Sequence, residues 1–563
     1  MGEDQFAQTA LVKAVQGAIA VQPQQSGDLR VATPGGVFQV RWDDNASASA
    51  LGQLAFFGEF LEVSQLFDRW VESCPLEYTS PNAPEVRDVL GTWLLSILDG
   101  QRRYAHINGL RGDAVAPQIL AMTRIISDES LRRALKALAP SIDKNCTEDE
   151  RIKRQAQLDT STAWMDTVLR ESTFAALGTD WILDCDTTVK LLYGNQDGAE
   201  IGYNPTKPGR PSHNIHTYWV ANLRLVLDAE VKGGKTQPAK YSLPGLMRLL
   251  LALPPEKRPQ LVRGDSAFGN EPVMAELEAI GQAYLTKLRQ TAGVKRLIER
   301  NWSRQDWQDV GQGSEAVEAQ LKLSGWSRAR RVVVVRSPVK TNSKVSPGIK
   351  TLTSAVEDVT NKKAKRQKNL DFENTEPVKR WDYAVLVTNS NYELKAIGQL
   401  YRDRADCENG FDELKNQWGW GGYTTQDLER CNLCARAVAL IYNWWSWYVR
   451  LAHPATRLEA ITSRPLLLAG VARLTEHAGQ SRILLTLTHA AGDLIKSMVT
   501  NVRKGLDTIL ATAPWKKVSW LSLPNSMVQK RLQRLRCCHH PNFLSYPVAG
   551  MSGGEKFDGI SVG

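Results

Sequence analysis

Hydrophobic residues recur three and four positions apart through the first third of the chain. The pattern holds from Leu51 to about Leu177, for example in LGQLAFFGEFLEVSQLFDRWVES and PEVRDVLGTWLLSILDG. This spacing puts the apolar side chains on one face of an α-helix, and the SPNAP segment between the two examples is typical of a turn. We therefore predict a helical N-terminal region over residues 1–178.

The pattern changes at Trp181. WILDCDTTVKLLYG alternates and is rich in strand formers, and TYWVANLRLVLDAEV continues in the same way. SLPGLMRLLLALPPEKRP predicts a helix closed by prolines, and QLVRGDSAFGNEPVMAELEAIG predicts a strand, a tight turn and a second helix. Alternating strands and helices indicate an α/β core, and its first part covers residues 179–300.

Strand-like pieces such as RRVVVVRSPV and the lysine-rich run NKKAKRQKN interrupt this alternation between residues 301 and 379. They indicate a mostly β insertion. The core resumes over residues 380–452, where WDYAVLVTNS predicts a strand and a helix cap, followed by one long helix. We expect a helical region over residues 453–548 and a disordered tail over residues 549–563.

The composition is that of a folded, soluble protein. The chain has 563 residues, of which 42% are hydrophobic and 23% are charged, and these values exclude the disordered and fibrous classes. Such a length predicts about three or four domains of typical size. The net charge of +10 favours a polyanionic partner such as nucleic acid, although it also fits a chain that is simply kept soluble.

The sequence predicts a cytoplasmic location. The acidic start, MGEDQFAQ, lacks the cationic segment of a secretion signal. The longest uncharged apolar segment, Ala437 to Val449, is shorter than the roughly 20 residues that span a bilayer. Eight cysteines in so long a chain do not form a disulfide framework. Cys431-x-x-Cys434 and the CCHH run at 537–540 suggest zinc, but neither has the usual context or spacing of zinc ligands.

One charged stretch, YRDRADCENGFDELK, concentrates candidate chemistry. At about 100° per residue, Tyr401, Arg404, Glu408 and Lys415 fall within an arc of roughly 60° on a helix. Asp412 shares this stripe and is the rival carboxylate. A solvated face with i,i+4 ion pairs is the ordinary explanation of such a run.

Aspartates close to predicted strands offer partners for this helix. Asp184 and Asp186 lie two positions apart on one strand and therefore on the same face of it. Asp265 ends a second apolar strand before a Ser/Gly turn. An aspartate at a strand end is most often a turn former or a helix cap, so each of them taken alone proves little.

Together these residues resemble a known enzyme family. Tyr-(2)-Arg-(3)-Glu-(6)-Lys is the signature of insertion-sequence DDE transposases of the IS-four superfamily, and it fits Tyr401, Arg404, Glu408 and Lys415. Asp186, followed by two threonines, and Asp265 are similar to the family's first and second catalytic aspartates, with Asp184 as a possible helper. This resemblance selects Glu408 rather than Asp412.

A second segment points to one branch of that superfamily. GNQDGAEIGYNPTKPGRPSHNIHTYW, which follows the first predicted strand, resembles the segment that marks the IS-thirteen-eighty branch. Its Lys207 and Arg210 suit a loop along a phosphate backbone, and a plain surface loop is the alternative. The resemblance covers residues from about Trp181 to Leu451.

The resemblance implies an RNase H-like α/β core, interrupted by the β insertion and flanked by helical regions. Asp186, Asp265 and Glu408 would be the catalytic acids, and three carboxylates make an all-oxygen site that suits two Mg²⁺ or Mn²⁺ ions. The enzyme would cut DNA at element ends, pass through a hairpin, and join the freed 3′-OH to target DNA. Tyr401, Arg404 and Lys415 would hold phosphates and unpaired bases.

For base stacking and for recognition of the DNA ends, the resemblance implies several candidate residues or segments. The family places a base-stacking aromatic in the insertion, and Trp302, Trp307 and Trp326 are the candidates, with core packing as the alternative. The N-terminal helical region and the basic VQKRLQRLR segment are candidates for recognising terminal inverted repeats. The expected partners are this DNA, target DNA and a second copy of the chain, in a bacterial cytoplasm.

Two other functions remain open at this level. A nuclease with the same core would cleave DNA without joining it. A transposase-derived protein that only binds DNA is the second alternative, and the three intact acidic positions argue against it.

Overall fold

The computed structural model describes residues 28–339 and 380–511, apart from gaps at 44, 143–144, 175–176, 178–180, 205–206, 222, 237, 421–425 and 487–488. Several predicted segments lie outside the described residues: NKKAKRQKN, VQKRLQRLR, the CCHH run and the tail after residue 548. The described chain folds into helices packed around one large mixed sheet.

The N-terminal region is mostly helical. Its helices are α1 (Leu54–Ser64), α2 (Leu66–Glu72), α3 (Val86–Leu98), α4 (Ala116–Ile119), α5 (Asp128–Leu138) and α6 (Glu148–Phe174), with a 3₁₀ helix at Tyr104–Gly109. Three short strands precede them: β1 (Leu29–Thr33), β2 (Gly36–Val40) and β3 (Ala48–Ser49). The helical prediction for residues 1–178 missed these strands. The TPGG turn, with Gly36 at φ +120°, folds β1 and β2 into a local hairpin, and β3 pairs with a strand more than 400 residues later, near Ala472.

In the described part of the chain, nine strands form the central sheet, in the order β6-β5-β4-β7-β8-β12-β11-β10-β9. They are β4 (Ile182–Leu191), β5 (Ser212–Val220), β6 (Leu225–Gly233), β7 (Leu261–Gly264), β8 (Tyr284–Lys287), β9 (Gln308–Gly311), β10 (Ser314–Leu321), β11 (Arg330–Pro338) and β12 (Trp381–Thr388). β4, β5 and β6 make an antiparallel meander, and β7 and β8 continue the sheet parallel to β4.

The strands predicted as an insertion join this same sheet. β9, β10 and β11 pair antiparallel with one another, and β12 connects them to β8. Thus the described part of the region between residues 301 and 379 extends the edge of the core sheet.

The remaining helices cover the sheet and the C-terminal region. They are α7 (Pro238–Ala252), α8 (Glu271–Ala279), α9 (Ala292–Asn301), α10 (Leu394–Arg402), α11 (Ala405–Asn416), α12 (Leu428–Ala452), α13 (Ala460–Leu467) and α14 (Gly492–Ala511), with a 3₁₀ turn at Pro255–Lys257. In the region predicted to be helical after residue 452, β13 (Val471–His477) and β14 (Gln480–Thr486) form a hairpin that pairs with β3. Cross-strand pairing with β3, which is distant in sequence, is not visible in a local pattern.

α12 lies at the centre of the molecule. Its Asn443 side chain accepts a hydrogen bond from the Val226 amide of β6 and donates to the Val226 carbonyl, so the helix is fixed against the sheet. Trp444 packs edge-on against Trp70 of α2, with ring centroids 5.6 Å apart, and this contact joins the sheet to the N-terminal helices. Within the described ranges, no helix is both long and apolar enough to cross a membrane.

The predicted long helix around residues 394–416 is two helices. α10 ends at Arg402 and α11 begins at Ala405, with Asp403 and Arg404 in a turn between them. The Arg404 amide bonds to the Tyr401 carbonyl, at 3.2 Å, and the buried Arg263 guanidinium donates to the Leu400 carbonyl. A side chain from β7 therefore takes the acceptor that a continuous helix would use.

Candidate active site

Asp186 and Asp265 come from neighbouring parallel strands. The register pairs Cys185 of β4 with Gly264 of β7, so the next residues, Asp186 and Asp265, are level with each other. Adjacent strands lie about 4.8 Å apart, and the common register puts both aspartates on the same face. Two carboxylates separated by 79 residues of sequence thus meet at the end of β7.

The loop after β7 fixes the second aspartate. One carboxylate oxygen of Asp265, Oδ1, accepts a hydrogen bond from the Ala267 amide at 2.9 Å, and the Phe268 amide bonds back to the Asp265 carbonyl. A Cβ on Gly264 would lie 2.7 Å from Phe268, so this turn needs glycine there. Asp265 is therefore a turn former, and the other oxygen of its carboxylate is left for a further contact.

The environment of Asp186 disfavours its negative charge. Burial raises the pKa of this carboxyl to about 6, the positive charge of Arg404 opposes the rise, and the negative charge of Asp265 adds to it. Its Oδ1 accepts a hydrogen bond from the Thr187 amide at 2.7 Å. Asp186 is thus a mostly buried acid whose charge is opposed by desolvation and by Asp265 and favoured by Arg404.

Arg404 joins Asp186 to Glu408. One guanidinium nitrogen donates to Asp186 Oδ2 and the other to Glu408 Oε1, each at 2.8 Å. The Arg404 and Asp186 side chains are 9% and 13% exposed, while that of Glu408 is 61% exposed. Because Arg404 lies in the turn between α10 and α11, the helix break directs its side chain onto the sheet.

Tyr401 and Lys415 complete the cluster. Burial raises the pKa of Tyr401, Arg404 opposes this as a hydrogen-bond partner, and the charges of Asp265 and Glu408 add to it. Burial lowers the pKa of Lys415, against the charges of Asp412 and Asp186. Both side chains therefore lie within electrostatic range of the acids.

The structure also distinguishes the two carboxylates on the predicted stripe. Asp412 is exposed and accepts a hydrogen bond from the Asn416 amide group at 2.7 Å. Glu408 is the one that shares Arg404 with Asp186.

Comparison with known proteins identifies the family. Residues 79–506, well over half of the chain, match the model of the family described as Transposase DDE domain group 1. The chain belongs to this family. A cryo-EM structure of a piggyBac transposase synaptic complex with hairpin DNA aligns over 86% of this chain and 85% of that one, with 10% identity and a TM-score of 0.36. No curated protein matches the chain.

A DDE transposase domain is expected to bind divalent metal ions, and the fit is partial here. Among the described residues, no three or more His, Cys, Asp or Glu side chains are grouped closely enough to hold a metal ion. Asp186 and Asp265 form a pair, and Glu408 is connected to it through Arg404. The oxygen donors and the raised pKa of Asp186 nevertheless suit a hard cation such as Mg²⁺.

The loop that carries Lys207 and Arg210 lies apart from the acids, beyond the end of β4. Both cations lie over the ring of Tyr193, with Lys207 Nζ 5.5 Å and the Arg210 guanidinium carbon 4.7 Å from its centroid. Tyr193 is 70% exposed. The transposase domain therefore presents an aromatic ring with two cations to solvent.

The three candidate tryptophans differ in exposure. Trp326 is buried, with Arg330 over its ring at 5.2 Å. Trp307 is partly buried and contacts Arg336 at 4.1 Å. Trp302, at the end of α9, is 51% exposed. Of these three tryptophans, Trp302 is the exposed one.

The structure adds one residue to the site that the sequence reasoning missed. Arg263, which precedes Asp265 by two positions, is fully buried and pairs with Asp184. The available signal was the spacing: each of these charged residues precedes a candidate aspartate by two positions, and hence lies on the same face of its strand.

Proposed function

We propose that this protein is a metal-dependent transposase that cuts DNA at the ends of a mobile element and joins the freed 3′-OH to target DNA. Membership of the DDE transposase family supports DNA transposition in general. The observation that supports the assignment of the site is that Arg404 bonds to both Asp186 and Glu408, while Asp265 is level with Asp186 on the neighbouring strand.

We propose an RNase H-like core on the basis of strand order. In such a core an antiparallel three-stranded meander is followed by two strands that continue parallel to its first strand. β4, β5 and β6 provide the meander, and β7 and β8 provide the parallel continuation. Asp186 lies on the first strand and Asp265 follows the fourth, so both acids lie near the centre of the sheet.

The proposed reaction is a series of phosphoryl transfers without a covalent enzyme intermediate. Water attacks one phosphodiester and frees a 3′-OH, and this 3′-OH attacks the opposite strand to form a hairpin. A second water opens the hairpin, and the restored 3′-OH attacks the target, where the leaving oxygen takes up a proton. Two Mg²⁺ or Mn²⁺ ions, when bound, would activate the attacking oxygen and stabilise the leaving oxygen.

The acidic side chains of the site would bind the metal ions, and the basic side chains would bind DNA. Asp186, Asp265 and Glu408 would hold the metal ions through carboxylate oxygens. Arg404 and Lys415 would bind DNA phosphates, because guanidinium and ammonium groups are their usual partners. Since Arg404 already pairs with both Asp186 and Glu408, binding of cation and DNA would exchange its carboxylate partners for a phosphate.

Tyr401 would stack on an unpaired base, and Trp302 would do so from the insertion. The loop that follows β4 and carries Tyr193, Lys207 and Arg210, called the Tyr193 loop below, would contact the phosphate backbone beyond the active site. We also propose that two copies of the chain act together on two DNA ends, and that helical regions outside the core recognise the terminal repeats.

A strand-transfer assay tests this function against the nuclease alternative. The full chain is incubated with Mg²⁺, a labelled duplex that ends in the element's inverted repeat, and a plasmid. Joined product is expected, together with a hairpin on denaturing gels. Nicked DNA without joined product would make the protein a nuclease, and DNA binding without any cleavage would make it a DNA-binding protein.

A further inference from the structure

We propose that the buried Asp184–Arg263 ion pair is a positioning device for the active site, which sets the spacing of Asp186 and Asp265 and holds the α10–α11 turn against the sheet. This inference rests on the proposed function. Neither residue would touch DNA or a reacting atom, because both side chains are fully buried.

The pair is bidentate and completely buried. Arg263 donates from Nε to Asp184 Oδ1 and from a terminal nitrogen to Oδ2, both at 2.6 Å, and the side chains are 0% and 1% exposed. Because β4 and β7 pair Asp184 with Arg263, the ion pair spans the two strands on the same sheet face as Asp186 and Asp265, two positions before each of them. A planar fork on a carboxylate fixes both distance and angle between the strands.

The Arg263 guanidinium also contacts α10, the helix that carries Tyr401. Its remaining terminal nitrogen donates to the carbonyl of Leu400, the residue before Tyr401. This contact takes the carbonyl that a continuous helix would give to the Arg404 amide, which bonds to Tyr401 instead. One side chain therefore connects β4, β7 and α10, the segments that carry or precede the proposed catalytic groups.

Stability alone does not explain such an arrangement. A buried ion pair contributes little net stability relative to apolar residues of the same volume, whereas removal of one partner leaves an uncompensated charge. The directional bonds of the fork are what an apolar pair could not supply. These bonds would instead fix the relative positions of β4, β7 and α10, and hence of Asp186, Asp265 and the α10–α11 turn.

The chain contains a matched control. Asp228 of β6 is also buried and accepts a hydrogen bond from a buried arginine, Arg436 of α12, at 2.9 Å, and another from the half-exposed Arg248 at 3.3 Å. It belongs to the same sheet but lies two strands away from β4. Asp184→Asn and Asp228→Asn therefore make the same chemical change in comparable surroundings, near the site and away from it.

The experiment compares the full-length chain with Asp184→Asn, Arg263→Lys and Asp228→Asn. Denaturant unfolding without metal gives stability, electron paramagnetic resonance gives Mn²⁺ affinity, and cleavage kinetics give kcat and KM for DNA. Mn²⁺ signal that disappears in Asp186→Asn defines the site. We expect Asp184→Asn and Arg263→Lys to weaken Mn²⁺ binding by about 10-fold or more, as loss of an orienting partner does. kcat should fall while KM for DNA stays within about threefold.

Asp228→Asn should be destabilised to a similar degree but keep Mn²⁺ affinity within about twofold of the parent. Arg263→Lys, which keeps the charge and loses the fork, covers the case in which Asp184→Asn does not fold. Equal Mn²⁺ effects in Asp184→Asn and Asp228→Asn, or an unchanged Arg263→Lys, would overturn the positioning role. If the parent chain shows neither Mn²⁺ binding nor joining, the proposed function itself fails, and the positioning role with it.

Discussion

Arg404 donates a hydrogen bond to the buried carboxylate of Asp186 over 2.8 Å. The pair connects the turn between α10 and α11 to the first strand of the meander, 218 residues earlier in the chain. A second bond from the same guanidinium reaches Glu408, so one cation lies between two of the proposed catalytic acids.

Loss of Arg404 should destabilise the protein more than loss of the Glu408 charge. Arg404→Ala leaves the buried Asp186 without its cation and should lower the free energy of unfolding by about 3 kcal/mol. Glu408→Gln loses an ion pair whose carboxylate is largely exposed, so it should cost less than about 1 kcal/mol. Urea unfolding of the metal-free protein measures both. Equal costs would contradict the difference in burial between the two ion pairs.

The three acids should be essential for cleavage and joining. Asp186→Asn, Asp265→Asn and Glu408→Gln should each reduce strand transfer by about 10³-fold or more, since each removes a metal ligand. Binding of an end duplex should remain within about threefold of the parent, because no cation that contacts phosphate is lost. Asp412→Asn is the control on the same helix and should retain activity. Comparable losses in Asp412→Asn and Glu408→Gln would refute the choice of Glu408.

The Tyr193 loop should contribute to the salt dependence of DNA binding. Replacing Lys207 and Arg210 together by alanine should reduce the slope of log K against log salt by roughly 2, because about two fewer counterions are released. The exchange Lys207→Arg with Arg210→Lys keeps both charges and should keep the slope. Fluorescence anisotropy at several salt concentrations gives these values. An unchanged slope in the double alanine variant would place the loop away from DNA.

Acid should destabilise the fold through His216. Burial lowers the pKa of this histidine from 6.5 to about 4, and the charge of Lys232 adds to the effect. The native state therefore keeps His216 neutral while the unfolded chain takes up a proton, so this stability is complete above pH 6.5. It should decrease by ~3 kcal/mol as the pH falls from 6.5 to 4. His216→Gln cannot titrate, and its unfolding free energy should fall less steeply in this window. Parallel pH profiles of the two proteins would rule this assignment out.

Trp302 and Trp326 should respond differently to truncation. Trp326→Ala removes a buried ring and should cost about 3–5 kcal/mol of stability. Trp302→Ala removes an exposed ring and should leave unfolding nearly unchanged, while hairpin formation falls because a base-stacking surface is lost. Unfolding curves and denaturing gels measure the two effects. Normal hairpin yield in Trp302→Ala would remove this residue from the candidates.

The sequence by itself determined the features that depend on local periodicity. A period of two placed Asp184 and Asp186 on one strand face, and Asp265 follows β7 as its apolar run predicted. Helical spacing predicted one stripe of Tyr401, Arg404, Glu408 and Lys415, and across the break between α10 and α11 Arg404 still contacts Glu408. The strand pattern could be predicted because side chains alternate every two residues along any strand, whereas the helical stripe assumed one continuous helix and the structure has two.

Only the tertiary structure decided which of these local features meet. Strand order placed Asp186 beside Asp265, and it joined the strands of the predicted insertion to the core sheet. Arg263 donates a hydrogen bond to the Leu400 carbonyl at the point where the predicted long helix is broken. The turn at this break places Arg404 between Asp186 and Glu408. Such contacts join residues that are far apart in sequence, and their energy depends on burial and register, which a local pattern does not encode.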